Sequence, residues 1–162
     1  MSESKENLAR RVLTDPMHFL AFGFGTGLAP VAPGTVGSLP GVLLAWATMD
    51  FPFPARVALA IGLFLTGIRI CGVSSRRLGV HDHGGIVWDE ITGMYVALLA
   101  VPALISAWIL AFGLFRALDI VKPWPIRDLD HRLGGGLGIM LDDLLAALYA
   151  APLLVFYGWL MT

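Results

Sequence analysis

FRALDIVKPWPIRDLDHRLGGGLGIMLDD, residues Phe115 to Asp143, gathers nine charged side chains between two runs that are almost pure hydrocarbon. Ile91 to Phe115 precedes the stretch and Leu144 to Met161 follows it. At the centre of a bilayer an ionised side chain costs roughly 2.5–3.5 kcal/mol on insertion scales. Asp142 and Asp143 facing lipid would cancel much of what the following apolar helix gains. They are therefore expected to face protein, water or a cation, and to mark a functional site.

The rest of the composition agrees with a membrane setting. The chain has 162 residues, 57% hydrophobic and only 14% charged, with a mean hydropathy of +0.76. Soluble domains carry about 25% charged residues. The expected fold class is all-α: a small multi-helix integral membrane bundle with Gly/Pro-rich loops and kinked or re-entrant apolar segments. One domain fits 1–162, with a short polar segment at 1–15. A net charge of −1 argues against nucleic acid as a partner. The single Cys71 excludes an intrachain disulfide and a multi-cysteine metal site.

Along the chain, residues 22–41 (FGFGTGLAPVAPGTVGSLPG) read as a Gly/Pro-rich loop. Leu39 to Met49 and Arg56 to Gly72 read as a helical hairpin, split by the prolines of Phe51 to Pro54. Residues 73–88 read as a polar loop. Ile91 to Phe115 is long enough to cross a bilayer. A full crossing there, however, would put the basic loop around Arg76 and Arg77 opposite the one holding Arg116, Lys122, Arg127 and Arg132. The positive-inside rule places both loops in the cytoplasm. Pro102 lies at the middle of this segment, so a kinked or re-entrant path is expected, with both loops on one side.

Three constellations carry chemistry. In Gly25 to Ser38 (GTGLAPVAPGTVGS), closely spaced glycines let backbone N–H groups approach an anion, and Thr35 and Ser38 add hydroxyl donors. Ser38 is also placed to cap a helix starting at Leu39. In His81 to Glu90 (HDHGGIVWDE), the adjacent Asp89 and Glu90 offer hard carboxylate oxygens of the kind Mg²⁺ takes. Helix capping by Asp89 and dipole stabilisation are the plain alternative. His81 and His83 lack the i, i+4 spacing of helical zinc sites. In the third, Arg116 and Asp119 share a helical face, and Pro123 and Pro125 end that helix. Arg116, Lys122 and Arg127 are suited to gripping phosphate oxygens. Asp142 and Asp143 stand at the expected start of the last helix, where the dipole alone accounts for one of them. An ion-pair network is the alternative for the whole region.

These three motifs, in this order, resemble the phosphatidylglycerophosphatase A family of bacterial membrane phosphatases. The text that carries the resemblance is GTGLAPVAPGTVGSLPG, DHGGIVWDEITGM and FRALDIVKPWPIRDLDHRLGGGLGIMLDDLLAALYA. Ala29 and Ala147 depart from related sequences, which often carry Ser and Gly there. The resemblance implies Mg²⁺-dependent removal of the phosphate of phosphatidylglycerophosphate, a phospholipid substrate in the bilayer, and a multi-pass protein of the bacterial cytoplasmic (inner) membrane. It does not say which acids bind metal. By residue type, Asp89, Glu90, Asp142 and Asp143 are assigned to the metal. Asp119 is a further ligand or the base for water, and an aspartyl-phosphate through Asp119 or Asp89 also fits. Lys122 is counted with the catalytic groups, and Arg116, Arg127, Thr35 and Ser38 with substrate binding. A small cation transporter would not need the Arg/Lys cluster, and a scaffold for anionic lipid leaves the Asp pairs without a role.

Overall fold

Residues 5–80, 83–124, 126 and 133–161 are described by the structure, a computed structural model. Among them every regular element is helical. Two short helices, α1 (Lys5–Thr14) and α2 (Pro16–Ala21), lead into a kinked 3₁₀ segment (Gly23–Leu28) and α3 (Pro33–Gly37). The bundle proper is α4 (Leu39–Ala47), α5 (Phe53–Leu78), α6 (Trp88–Leu99), α7 (Ile105–Val121) and α8 (Gly135–Met161).

The centre of the bundle is α6. Apolar on nearly every side, it is surrounded by α4, α5, α7 and α8. Its Met94, Tyr95, Ala97 and Leu98 are completely buried. Its polar atoms find partners inside: Trp88 Nε1 donates to the Leu63 carbonyl at 3.1 Å, and the Tyr95 hydroxyl meets Thr48 Oγ1 at 3.1 Å. The outer helices carry the exposed hydrocarbon, including Ile61 and Leu65 on α5 and Leu153, Phe156 and Trp159 on α8. Water would expel such faces, whereas lipid does not. With 26 and 27 residues, α5 and α8 are long and apolar enough to cross a membrane. At 1.5 Å per residue each exceeds the ~30 Å hydrocarbon core.

The segment Ile91 to Phe115 folds back on itself, as the position of Pro102 suggested. Helix α6 stops at Leu99, Leu104 is extended (φ −109°, ψ 135°), and α7 starts at Ile105. The Leu104 amide donates to the Pro102 carbonyl at 2.7 Å, closing the turn. Glu90 in the first turn of α6 stands 3.9 Å from Arg116 in the later part of α7, so the two helices are antiparallel. Both polar ends consequently lie at one end of the bundle.

Four boundaries differ from the sequence reading. Residues 73–78 belong to α5 and not to a loop: Ser74 and Ser75 are buried, Arg76 and Arg77 sit in the last turn where the dipole favours cations, and Gly79 closes the helix. The Gly/Pro-rich stretch is mostly short helical turns, because Pro33 and Pro40 occupy first-turn positions that tolerate proline. Helices α4 and α5 are consecutive but pack little on each other: α4 packs mainly on α6, and α5 on α8 and then on α6, so the expected hairpin does not form. Finally, α8 begins at Gly135, well before Asp142. The glycines there form a packing surface: a side chain at Gly136 would run into the Ile68 carbonyl and crowd the Gly72 amide. That close backbone approach sets α8 against α5.

The short N-terminal helices are tied to the same end. Asp15 caps α2 through the amides of Met17 (2.8 Å) and His18 (3.4 Å). It also pairs with Arg77 of α5 at 2.6 Å. His18 Nδ1 and Ser74 Oγ share a buried hydrogen bond of 2.7 Å.

Gly136→Ala is expected to destabilise the protein by about 1–3 kcal/mol through overpacking. Gly62→Ala, whose new methyl meets nothing within 4 Å, should be neutral or gain about 0.5–1 kcal/mol from helix propensity. Unfolding of the two variants in detergent checks this, and equal behaviour would remove the α5–α8 contact from the account.

Candidate active site

Two helix ends and the side of a third helix converge on one pocket of charge. The start of α6 supplies Asp89 and Glu90, the end of α7 supplies Arg116, Asp119 and Lys122, and α8 supplies Asp142 and Asp143. Carboxylate oxygens of Asp89, Asp142 and Asp143 lie within 4.8 Å of one another, as do those of Glu90, Asp119 and Asp143. Asp143 belongs to both groups and is the hinge of the cluster. Asp89, Asp142 and Asp143 are buried, and the Glu90 and Asp119 side chains are only 13% exposed.

Two cations from α7 answer part of this charge. Arg116 pairs with Asp119 at 2.6 Å and stands 3.9 Å from Glu90. Lys122 pairs with Asp142. Lys122 ends α7 in a left-handed conformation (φ 44°), an uncommon state for a side-chain-bearing residue and one often found at functional sites. Five carboxylates against two cations leave excess negative charge. Glu90 lies outside the two helices long enough to cross the membrane. Burial pushes its carboxyl up to about 8, and the neighbouring Asp143 adds to the effect. Glu90 Oε2 and Asp143 Oδ2 are buried without a hydrogen-bond partner. Orphaned oxygens in an all-carboxylate set fit a hard divalent cation such as Mg²⁺.

The Gly-rich motif reaches this pocket through Gly34 on α3. A side chain there would collide with the Glu90 carboxylate and would come within 2.7 Å of Arg116 Nη2. Glycine is what lets the backbone of α3 close over the two side chains. Thr35 follows it, half-buried. Ser38 does not act as expected. It is fully buried, it donates to the Gly34 carbonyl at 2.8 Å, and it makes no side-chain cap to α4. Its hydroxyl hydrogen is used within α3.

Two of the plain explanations for the acids also fall, while the helix dipole still favours Asp89 and Glu90, both in the first turn of α6. Asp89 is not a helix cap, since Val87 holds the cap position of α6 without a side-chain bond. Asp142 and Asp143 are not in the first turn of α8, so the dipole does not account for their burial. Arg127, assigned to phosphate binding, lies outside the described residues, as do His81, Asp82 and Arg132. The Lys122–Asp142 pair was not visible beforehand; twenty residues separate the partners, and the only hint was that both types occur in one charged stretch.

Comparison with known proteins agrees with the motifs. The family described as Phosphatidylglycerophosphatase A matches residues 19–157. Phosphatidylglycerophosphatase A of Escherichia coli (strain K12) is 43% identical over 152 residues, covering 93% of this chain and 88% of the relative. The protein of the same name from Haemophilus influenzae is 49% identical over 140 residues, covering 85% and 86%. A protein of Bacteroides thetaiotaomicron with the provisional name phosphatidylinositol-3-phosphatase is 37% identical over 149 residues, covering 86% and 91%. No solved structure matches.

Arg116→Met should leave Asp119 and Glu90 buried without their cation and cost about 3–5 kcal/mol of stability, the usual cost of breaking one side of a buried pair. Arg116→Met combined with Asp119→Asn should recover much of that loss. A double-mutant cycle of unfolding in detergent without divalent metal reads the coupling, and additive losses would show that the pair does not neutralise the cluster.

Proposed function

This chain belongs to the phosphatidylglycerophosphatase A family, and from that premise we propose that it hydrolyses the phosphate monoester of phosphatidylglycerophosphate, releasing phosphatidylglycerol and phosphate, with Mg²⁺ held by its acidic cluster. The observation that carries the reading is the convergence of the three motifs on one buried, acid-rich and cation-flanked pocket at one end of an apolar bundle. Such a pocket suits a lipid whose charged head stands at the surface while its tails stay in hydrocarbon.

Phosphate-monoester hydrolysis is among the slowest uncatalysed reactions, so the site must both position water and neutralise charge. Asp89, Asp142 and Asp143, with Glu90 beside Asp143, would hold Mg²⁺, and Asp119 is kept for the base. Bound Mg²⁺ supplies Lewis acidity, neutralising phosphate oxygens and making water a better nucleophile. Arg116 and Lys122 donate hydrogen bonds to the phosphate oxygens. Water oxygen bonds to phosphorus, and the bond from phosphorus to the glycerol oxygen breaks. Asp119, held by Arg116, takes the proton that water gives up, and the glycerol oxygen regains one from solvent. Thr35 on α3 adds a hydroxyl donor suited to the headgroup, and Arg127 keeps its assignment to the phosphate by residue type alone.

Basic residues support a cytoplasmic orientation for this end. Arg11, Arg76, Arg77, Arg116 and Lys122 all belong to it, which the positive-inside rule associates with the cytoplasm. On this reading the protein is a multi-pass protein of the bacterial cytoplasmic membrane.

Purified protein in detergent should release phosphate from phosphatidylglycerophosphate only with Mg²⁺, and phosphatidylinositol 3-phosphate should be a poorer substrate. Asp119→Asn should lower kcat by about 10²–10⁴-fold, the range for a lost general base. Asp89→Asn and Asp143→Asn should also lose the rise in thermal midpoint that Mg²⁺ gives the wild type, as ligand linkage requires. A folded protein that binds the lipid and never releases phosphate would support a lipid scaffold instead.

A further inference from the structure

Among the described residues an open apolar furrow of about 520 Å³ is lined by α4, α7 and the turn at Ala103 and Leu104. Its origin is topological: α4 and α7 both pack on α6, and the space between them is left open to the surroundings. On α4 the lining residues Leu39, Val42 and Trp46 recur at i, i+3 and i+7, which is one helical face. On α7 the residues Ile105, Trp108 and Phe112 repeat the same spacing. The next residue along that α7 stripe, four beyond Phe112, is Arg116. The α4 stripe begins one residue after Ser38, where α3 closes over Glu90 and Arg116. The upper ends of both walls therefore meet the candidate phosphate site.

We propose that this furrow holds one acyl chain of the glycerophospholipid substrate while its phosphate rests between Arg116 and the acidic cluster. The inference rests on the lipid-phosphatase reading above and assigns the hydrocarbon part that the reading left without a place. Continuity selects this occupant, because a chain lying in the furrow leads directly to Arg116. Length supports it as well: from Ile105 to Arg116 α7 rises about 16 Å at 1.5 Å per residue, close to half of the ~30 Å hydrocarbon core. The volume lies within the ~300–1,000 Å³ range of ligand clefts. A second copy of the chain docking here would cover the approach to Arg116.

The test uses phosphatidylglycerophosphate carrying a diazirine near the end of one acyl chain. Photolysis with the full-length protein in detergent, followed by peptide mapping, should place most of the label within 39–49 and 103–112. Excess unlabelled substrate should displace it. Label spread evenly over the outward residues of α5 and α8 would overturn the assignment. A kinetic arm uses Ala103→Trp, an exposed position at the far end of the furrow. For a substrate with hexadecanoyl chains KM should rise about tenfold, the worth of one or two buried methylenes. For the dihexanoyl substrate, too short to reach residue 103, KM should change less than about twofold on the same scale. An equal rise for both substrates would count against the furrow, as would a stable dimer that dissociates on Ala103→Trp. Hydrolysis of the dihexanoyl substrate by the wild type is measured alongside. If either substrate is hydrolysed while the label spreads evenly, the furrow fails and the phosphatase reading stands; if neither is hydrolysed, the phosphatase reading fails.

Discussion

Four carboxylates packed around Asp143 impose the constraint from which the rest of the architecture follows. Carboxylates removed from water and crowded together repel one another and lose hydration, so they persist only where cations and hydrogen-bond donors are held against them. Arg116 and Lys122 supply two positive charges, both from the last turns of α7. The end of α7 must therefore reach the start of α6, and the chain satisfies this by turning back at Pro102. Asp142 and Asp143 must also be brought in from the far side of the charged stretch. The contact of Gly136 with the Ile68 carbonyl does so by seating α8 against α5. A cluster whose fixed cations leave it acidic is the setting in which a divalent metal and a phosphate stabilise each other.

Placing this cluster at one end of a hydrocarbon bundle joins two solvents in a single site. The buried acids and Arg116 lie where the apolar stripes of α4 and α7 end, so a headgroup and its tail can be recognised by one continuous surface. The aligned helix ends also give the pocket a mixed field. The N-terminal end of α6 favours the anions Asp89 and Glu90 in its first turn. At the C-terminal end of α7 the dipole favours Lys122 at the cap but opposes Asp119, which Arg116 offsets at 2.6 Å.

Much of this was legible in the sequence, and the reasons differ by feature. Hydropathy and the scarcity of charge announced a helical membrane bundle because lipid leaves the backbone few other options. The position of Pro102, set against the two basic loops, led to the turned-back path. The acids stood out because charge beside hydrocarbon is costly without a use. Glycine was harder to read. The run at Gly134 to Gly138 suggested a loop on propensity, but tertiary contact with α5 outweighs the ~1 kcal/mol penalty per glycine and makes it the start of α8. That error placed Asp142 and Asp143 in a first turn they do not occupy. Ser38 was misjudged for a related reason: its backbone is already helical, so its hydroxyl bonds back to Gly34 and has no cap to make. Pairings such as Lys122 with Asp142 depend on how a non-helical connection folds, and neither spacing nor periodicity encodes that.

The central claim is that the carboxylates around Asp143 form a cation site. Anomalous diffraction from crystals of the full-length protein containing Mn²⁺ in place of Mg²⁺ tests it most directly. A peak within coordination distance of Asp143 and at least two of Asp89, Glu90, Asp119 and Asp142, absent from Asp143→Asn crystals, is the predicted result. Well-ordered wild-type crystals with no peak there, and the acids engaged only by Arg116, Lys122 and one another, would contradict the account and leave the cluster a structural ion-pair network.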